Sequence, residues 1–325
     1  MDAAAPRVFR FSTDQFPEHK RVEAYREIFG TTIIKHDIQP IGDQPFHFEA
    51  TLCSLSGLGL ASSLISPCRR WHGPQHLDSD DVVLGVGISG LSCLVQQCGR
   101  EAAVREGEAV LTSSADPALV VIPSMARPLS LRLSRSALAE KIADLDDRVA
   151  QTIPHSTHVR LLTGYVGALW QTGLTTMEPA LRESVAAHIQ DLVCLLLGAK
   201  GEAHELAERR GGRAARQSAV LRAIEGRSSD PGLSVTAVAA LLGVTPRYVH
   251  LLLEETGKSF SHHLLEKRLE QAAALLTDPR WRHRRIADIA AEVGFTDLSY
   301  FGRAFRRRYG ATPSDIREQV KKSGN

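Results

Sequence analysis

Two helix–turn–helix patterns stand in tandem near the C-terminal end of the chain, at residues 234–256 and 286–310. In the first, Val235, Val238, Ala239 and Leu242 recur at the spacing of one helical face. Gly243 can then turn left-handed without a Cβ penalty, Thr245 is a good N-cap, and Pro246 suits the first helical position. Tyr248, Val249 and Leu252 form the next apolar stripe, which Gly257 closes. The second unit repeats the plan. Ile286, Ile289, Ala290 and Val293 make the first stripe, Gly294 turns, and Asp297 caps. Leu298, Phe301 and Phe305 lie along the next helix, Gly310 ends it, and Pro313 blocks its continuation.

Between the two units, residues 259–276 read as one amphipathic helix. Phe260, Leu264, Leu265, Leu269, Ala272, Ala273 and Leu276 lie on its apolar side. Eighteen residues at about 1.5 Å each span about 27 Å. One turn of B-DNA advances about 34 Å, so such a helix can hold two recognition helices about one turn apart. A single helix–turn–helix pattern is compatible with any helical hairpin. Two of them at this separation point to DNA.

Residues 216–318 resemble the AraC/XylS family of bacterial transcription regulators. The resemblance lies in Arg268 and Leu269 in KRLEQAAALL, the helix IADIA at 286–290, and Gly294 with Phe295. It continues through Phe301 and Phe305 and ends on Gly310 with Pro313. It implies an all-helical DNA-binding domain of two lobes joined by a linker helix, with promoter DNA and RNA polymerase as partners. Arg247, His250 and Leu251 in the first recognition helix match family positions that face bases. Leu298, Ser299, Gly302, Arg303 and Arg306 do so in the second, and Arg307 lies beside them. Leu251 departs from the usual polar residue and offers at best a contact to a thymine methyl. Glu254 and Glu255 oppose phosphate. The second helix is therefore expected to be the stronger contact.

Charge is distributed accordingly. Of 39 Lys+Arg and 37 Asp+Glu, residues 214–325 hold 18 and 12, leaving 21 and 25 for residues 1–213. The C-terminal part is thus basic and the rest acidic, as expected if nucleic acid binds the former. Arg303, Arg306, Arg307 and Arg308 share one short segment.

Residues 45–135 change character. The segments FHFEATLCSL, GLASSLI, DVVLGVGI, LSCLVQQCG, AVLTSS, ALVVIP and LSLRLS alternate with turn signals, which predicts an antiparallel β-sandwich or barrel. It is similar to the cupin-type effector domain of the XylS-like branch. A helix near residues 17–30 is expected before it, with Val22, Tyr25, Ile28 and Phe29 on its apolar face. Two helices are expected after it, at 158–171 and 179–197. In the latter, Leu181, Val185, His188, Leu192 and Leu195 fall at alternating four- and three-residue spacing. That spacing fits either a helix packed on its own sheet or a coiled-coil-like seam. Because the family resemblance puts dimer helices here, a homodimer seam is the expectation. Residues 198–215, polar and glycine-bearing, read as an interdomain linker. The expected division is therefore an effector-sensing and dimerisation domain at 1–197, the linker, and a DNA-binding domain at 216–325.

Other patterns carry less. Gly85, Gly87 and Gly90 fit G-x-G-x-x-G, but strand-like residues follow where a dinucleotide site needs a helix, so a turn between strands is expected. His72 and His76 are separated by Gly73 and Pro74, which break any helix that could pair them on a metal. No nucleophile elbow or phosphate loop is found. No catalytic set, cofactor or metal is expected. Five cysteines at irregular spacing suggest free thiols. No 18-residue apolar run is present and the first residues lack an apolar signal core, so a cytoplasmic protein is expected. Relatives in the XylS-like branch sense aromatic or other small organic acids. Arg69, Arg70 and Trp71 are the residues proposed to receive such an effector, their alternative being an ordinary surface. The expected function is a DNA-binding regulator, an activator responding to a small molecule. The alternatives are a ligand-sensing or interaction module whose DNA contact is secondary, and a cupin-type enzyme.

Overall fold

The computed structural model describes residues 8–172 and 177–323. Contacts divide the chain into two units, Met1–Ala215 and Arg216–Asn325.

The first unit is built on two antiparallel sheets. Its strands are β1 (Val8–Ser12), β2 (Asp37–Pro40), β3 (Phe48–Leu55), β4 (Leu58–Ile65), β5 (Cys68–His72) and β6 (Val82–Ser89). They continue with β7 (Ser92–Gln97), β8 (Arg100–Arg105), β9 (Ala109–Ser113), β10 (Ala118–Ile122), β11 (Arg127–Leu133) and β12 (Thr152–Ile153). One sheet runs β1-β3-β4-β11-β6-β9-β12 and the other β2-β5-β10-β7-β8. The turn between β6 and β7 holds Gly90 at φ +64. Gly87 lies so close to β8 that a Cβ there would come within 2.5 Å of the Arg105 carbonyl oxygen. Those glycines serve a hairpin.

The larger sheet is apolar on both faces, because successive side chains of a strand point to opposite sides. Val83 and Val110 enter the core between the sheets with Leu52, Ile65, Val95 and Val104. Their neighbours Val82, Leu84, Ala109 and Leu111 enter a second core on the other side. A helix, α1 (Glu18–Thr32), closes the inter-sheet core with Tyr25 and Phe29. Three helices supply the second: α2 (Arg135–Ala139), α3 (Thr157–Thr172) and α4 (Pro179–Leu196).

This corrects the expected dimer seam. Val185, Leu192 and Leu195 are buried within the protomer, Val185 and Leu192 in the core that covers the larger sheet. His188 accepts or donates a 2.8 Å hydrogen bond at the Tyr165 hydroxyl, tying α4 to α3. Only Leu181 is exposed, at 50%. A four-three spacing marks any helix with one buried face, and here the sheet itself needed covering.

Residues 198–215 are not a linker either. They form α5 (Gly201–Ala207), a π-helical turn at Glu208–Gly212, and the start of α6 (Arg213–Gly226). The π turn packs on α4. A Cβ on Gly211 would stand 2.6 Å from Asp191 Cβ and 2.7 Å from the His188 carbonyl oxygen, so only glycine permits that approach. Arg210 forks onto the buried Asp191 carboxylate through Nε at 2.5 Å and Nη2 at 2.8 Å.

The second unit is all-helical. After α6 come α7 (Val235–Leu242), α8 (Pro246–Glu254), α9 (Phe260–Thr277), α10 (Ile286–Glu292), α11 (Leu298–Tyr309) and α12 (Pro313–Ser323). One lobe gathers around Val238, Val249, Leu252 and Phe260, the other around Ile289, Phe301 and Phe305. Leu264 of α9 belongs to the first core, while Leu269, Ala272 and Leu276 belong to the second. The linker helix is thus shared.

Candidate DNA-binding surface and effector cavity

Explicit caps fix each recognition helix. Ser234 accepts from the Ala237 amide to start α7, and Thr245 accepts from Tyr248 to start α8. Between them Gly243 adopts φ +67, and the two helices meet at 99°, within the range of helix–turn–helix motifs. In the second lobe Asp297 accepts from the Ser299 and Tyr300 amides at 2.8 and 2.9 Å. Those donated bonds, the one from Tyr300 first, hold its carboxyl below the usual carboxylate range. Gly294 turns at φ +91.

On α8 the inner positions Val249, Leu252 and Leu253 are buried, which leaves Arg247, His250, Leu251 and Glu254 along one exposed face. On α11 Phe301, Ala304 and Phe305 are buried, and Leu298, Ser299, Arg303, Arg306 and Arg307 are exposed. Gly302 is half-buried on that same side, where a Cβ would meet nothing within 4 Å. The nine residues expected to face DNA therefore lie on the outer faces of the two helices. Tyr300, 43% exposed, shares the α11 surface and is a residue that the sequence reasoning missed. Its aromatic ring is hidden, in the sequence, among the core phenylalanines of the same segment.

The lobes are held together by a clamp that the sequence contains but does not explain. Arg268 of α9 donates from Nε to the Ser228 carbonyl and from Nη2 to the Asp230 carbonyl, both at 2.8 Å. Its guanidinium carbon lies 5.9 Å from the Phe295 ring centroid. The Ser228 hydroxyl donates to Gln271, and Lys267 pairs with Glu225. Gly294 of the second lobe rests on the same corner of the first: a Cβ there would be 2.9 Å from the Ser228 and Ser229 carbonyl oxygens.

In the first unit, the space between the sheets is not filled. A cavity of about 80 Å³ lies there. That is several times the minimum needed for one water. Leu91, Val95, Val104, Val110, Val120 and Ile122 supply much of an apolar wall, with Thr112 and Ser130 hydroxyls in it. Among the described residues, no Asp or Glu lines it. One guanidinium does. Arg70 enters from β5, its carbon 6.0 Å from the Phe29 ring centroid. Its Nε is buried with no hydrogen-bond partner among the described residues.

The three residues expected to receive an effector are separated by the pleat of β5. Cys68, Arg70 and His72 point inward, whereas Arg69 and Trp71 point away from the cavity, Trp71 being 43% exposed. His36, which the sequence does not mark, and His72, weighed there only as a metal candidate, also line the cavity. Tyr25 hydrogen-bonds His36 Nε2 at 2.7 Å, and His36 Nδ1 lies 3.1 Å from the Ile34 carbonyl oxygen. Burial, reinforced by the Arg70 charge, pushes His36 well below its usual 6.5, so Tyr25 donates to a neutral ring. His72 is set between two backbone carbonyls, Lys35 at Nδ1 (2.6 Å) and Ser114 at Nε2 (2.9 Å). His76 reaches Asp37 at 3.3 Å.

Residues 25–198 match the AraC-binding-like domain, and residues 238–319 match a helix-turn-helix domain. The chain is 33% identical over 159 residues to the transcriptional activator RhrA of Rhizobium meliloti (strain 1021), covering 49% of this chain and 48% of that protein. It is 27% identical over 262 residues to the transcriptional activator NphR of a Rhodococcus species, covering 76% and 73%. The chain thus spans about half the length of the first of these curated relatives. The crystal structure of the AraC-like transcriptional activator CuxR covers 82% of this chain and 95% of its own, with a TM-score of 0.50 at 16% identity, a likeness of fold. The family domain occupies more than half the chain, and the second match falls on the tandem recognition helices. The chain belongs to the AraC family of transcription regulators.

Proposed function

We propose that this protein binds promoter DNA through α8 and α11 and activates transcription when a small molecule occupies the cavity of its first unit. The observation that carries this reading is the pair of exposed recognition faces on one shared helix, with Arg303, Arg306 and Arg307 on the second. Guanidinium groups in a major groove fork onto guanine or neutralise phosphate. RhrA and NphR are named transcriptional activators, which supports activation. The reading carries RNA polymerase as a partner, a cytoplasmic location and a homodimer, whose surface would have to lie away from the buried Leu192 and Leu195.

The test starts from duplexes selected out of a random library by the full chain. Affinity is then followed against salt. A specific complex should leave two protected patches about one turn apart, with log affinity falling by about 0.9 per neutralised phosphate per tenfold salt. Transcription from a selected site, with purified polymerase, reads activation. Selection that returns no preferred sequence would remove the reading and favour an interaction module with secondary DNA contact.

A further inference from the structure

Between α9 and α10 the chain reads Arg280-Trp281-Arg282-His283-Arg284-Arg285, a dense basic run outside both recognition helices. The run is an ordered turn. Asp278 accepts from the Arg280 amide at 2.9 Å, and the Trp281, Arg282 and Arg284 amides donate to the Asp278, Pro279 and Trp281 carbonyls. Trp281 packs against the core of the second lobe, and the Arg284 guanidinium carbon lies 5.8 Å from its ring centroid. Arg317 of α12 donates to the Arg284 carbonyl at 2.7 Å. The Asp288 carboxylate accepts from the Arg285 backbone amide at 3.0 Å, which fixes the point where α10 begins. Arg280 is paired with Asp278. Arg282, Arg284 and Arg285 are exposed and make no ion pair among the described residues. Three like charges held on one rigid turn repel each other, and a polyanion relieves that repulsion. The matching corner of the first lobe is different: ahead of α7, the one cation in residues 227–234 is Arg227, and Asp230 pairs with it.

The place of the turn selects the polyanion. In a helix–turn–helix unit the second helix enters the major groove while the first crosses the phosphate backbone. The seven residues of α10 span about 10 Å, so its start lies roughly that far from the Gly294 turn. A major groove is about 12 Å wide. With α11 in the groove, the turn therefore stands over a bordering backbone. We propose that Arg282, Arg284 and Arg285 form a sequence-independent clamp on the phosphates that border the groove α11 enters. The proposal rests on α11 as a recognition helix and adds a contact outside both recognition faces. DNA is favoured over an acidic protein because the turn opens the same helix–turn–helix unit that carries Arg303, Arg306 and Arg307.

The experiment is fluorescence anisotropy of the full chain against salt, on a duplex selected from a random library and on an unrelated duplex of the same length. Replacing all three with Gln (Arg282→Gln, Arg284→Gln, Arg285→Gln) should lower affinity for both duplexes by a similar factor, about 10- to 100-fold at about 0.1 M salt. The slope of log affinity on log salt should fall by about 2–3, at about 0.9 per phosphate. The ratio of the two affinities should stay within about twofold, because phosphate contacts carry no base information. The corresponding triple Lys variant should keep the slope, since neutralising phosphate needs charge and not a fork. Circular dichroism checks that each variant is folded. With the wild-type chain, methylphosphonates along the backbone bordering the second half-site should weaken binding, and in the Gln variant they should no longer do so. An unchanged slope in the folded Gln variant, or methylphosphonates without effect, would overturn the clamp while leaving the footprint of α11 in place. A changed base preference would overturn it too, by making these arginines base readers. Absence of any wild-type footprint at the second half-site would remove the α11 reading and the clamp together.

Discussion

Arg268 is the residue whose replacement separates a rigid pair of lobes from two independent ones. It gives two bonds from a charged donor to the Ser228 and Asp230 carbonyls and lies over Phe295. Each such bond contributes about 1.5–3 kcal/mol, and the ring contact about 0.5–1 kcal/mol at an exposed site. Burial of the guanidinium works against its charge, and the side chain is partly accessible, so the lower ends apply. Arg268→Met should therefore destabilise the second unit by about 2–4 kcal/mol. The Ser228 carbonyl loses its donor in a buried corner. Hydrogen exchange read by mass spectrometry on the full chain reports each unit separately. Peptides covering α9, α10 and the Gly294 turn should exchange about 30- to 1000-fold faster, since 1.4 kcal/mol is tenfold. Peptides from the β-sheets should not change. Arg268→Lys should recover at most half, because an ammonium cannot span both carbonyls with the same geometry. Unchanged exchange around residues 290–295 would refute the clamp.

Three other outcomes derive from the same contacts. Replacing Leu192 and Leu195 together with Lys should unfold the first unit, because both side chains are buried in the protomer; sedimentation showing a folded monomer instead would restore the seam. His36 is held well below 6.5 in the folded state, so the unfolded chain binds the extra proton, and its contribution to stability is complete above that value and falls as pH drops below it. The free energy of unfolding, measured by denaturant titration, should decline between pH 7 and 5 with a slope of up to about 1.4 kcal/mol per pH unit from this group, and the decline should be shallower in His36→Asn. Arg303→Ala should weaken specific DNA binding by about 1–3 kcal/mol and relax preference at one base position; footprints with the same affinity and preference would remove α11 from the groove.

The helical unit is readable because its punctuation is chemical. Ser234, Thr245, Ser259 and Asp297 each accept a backbone amide at a helix start, and Gly243, Gly257, Gly294 and Gly310 all take positive φ. The β-unit is readable where strands are apolar on both sides, as in β6 and β9. It is not readable at β5, whose inward positions are Cys68, Arg70 and His72: two of the three are polar, so hydropathy reports a surface. The same fact hides the cavity, since a guanidinium facing inward has the pattern of one facing out. The strand Val8–Ser12, an edge of the larger sheet, is also masked by the stronger helix signal after it. For α4, spacing does not distinguish a partner helix from the protomer's own sheet. At residues 208–212 two glycines suggest slack, where Gly211 in fact permits close packing on α4.

The shared helix also bears on how linker length can be tested. Deleting two residues within 270–274 would rotate the C-terminal half of α9 by about 200° against its N-terminal half and shorten the span by about 3 Å. It would also split Leu269 from Ala272 and Leu276, which pack in one core, so the second lobe would not survive as an independent unit. Changing the DNA avoids that damage. The central claim is that α9 fixes two recognition helices to adjacent major grooves, and the direct measurement is the affinity of the intact chain for a selected site with about half a helical turn, roughly 5 base pairs, inserted between its two halves. The account predicts a fall of about 100-fold or more, to the affinity of one lobe, because the second groove then faces away. Affinity that survives the insertion, with both halves still protected, would contradict it.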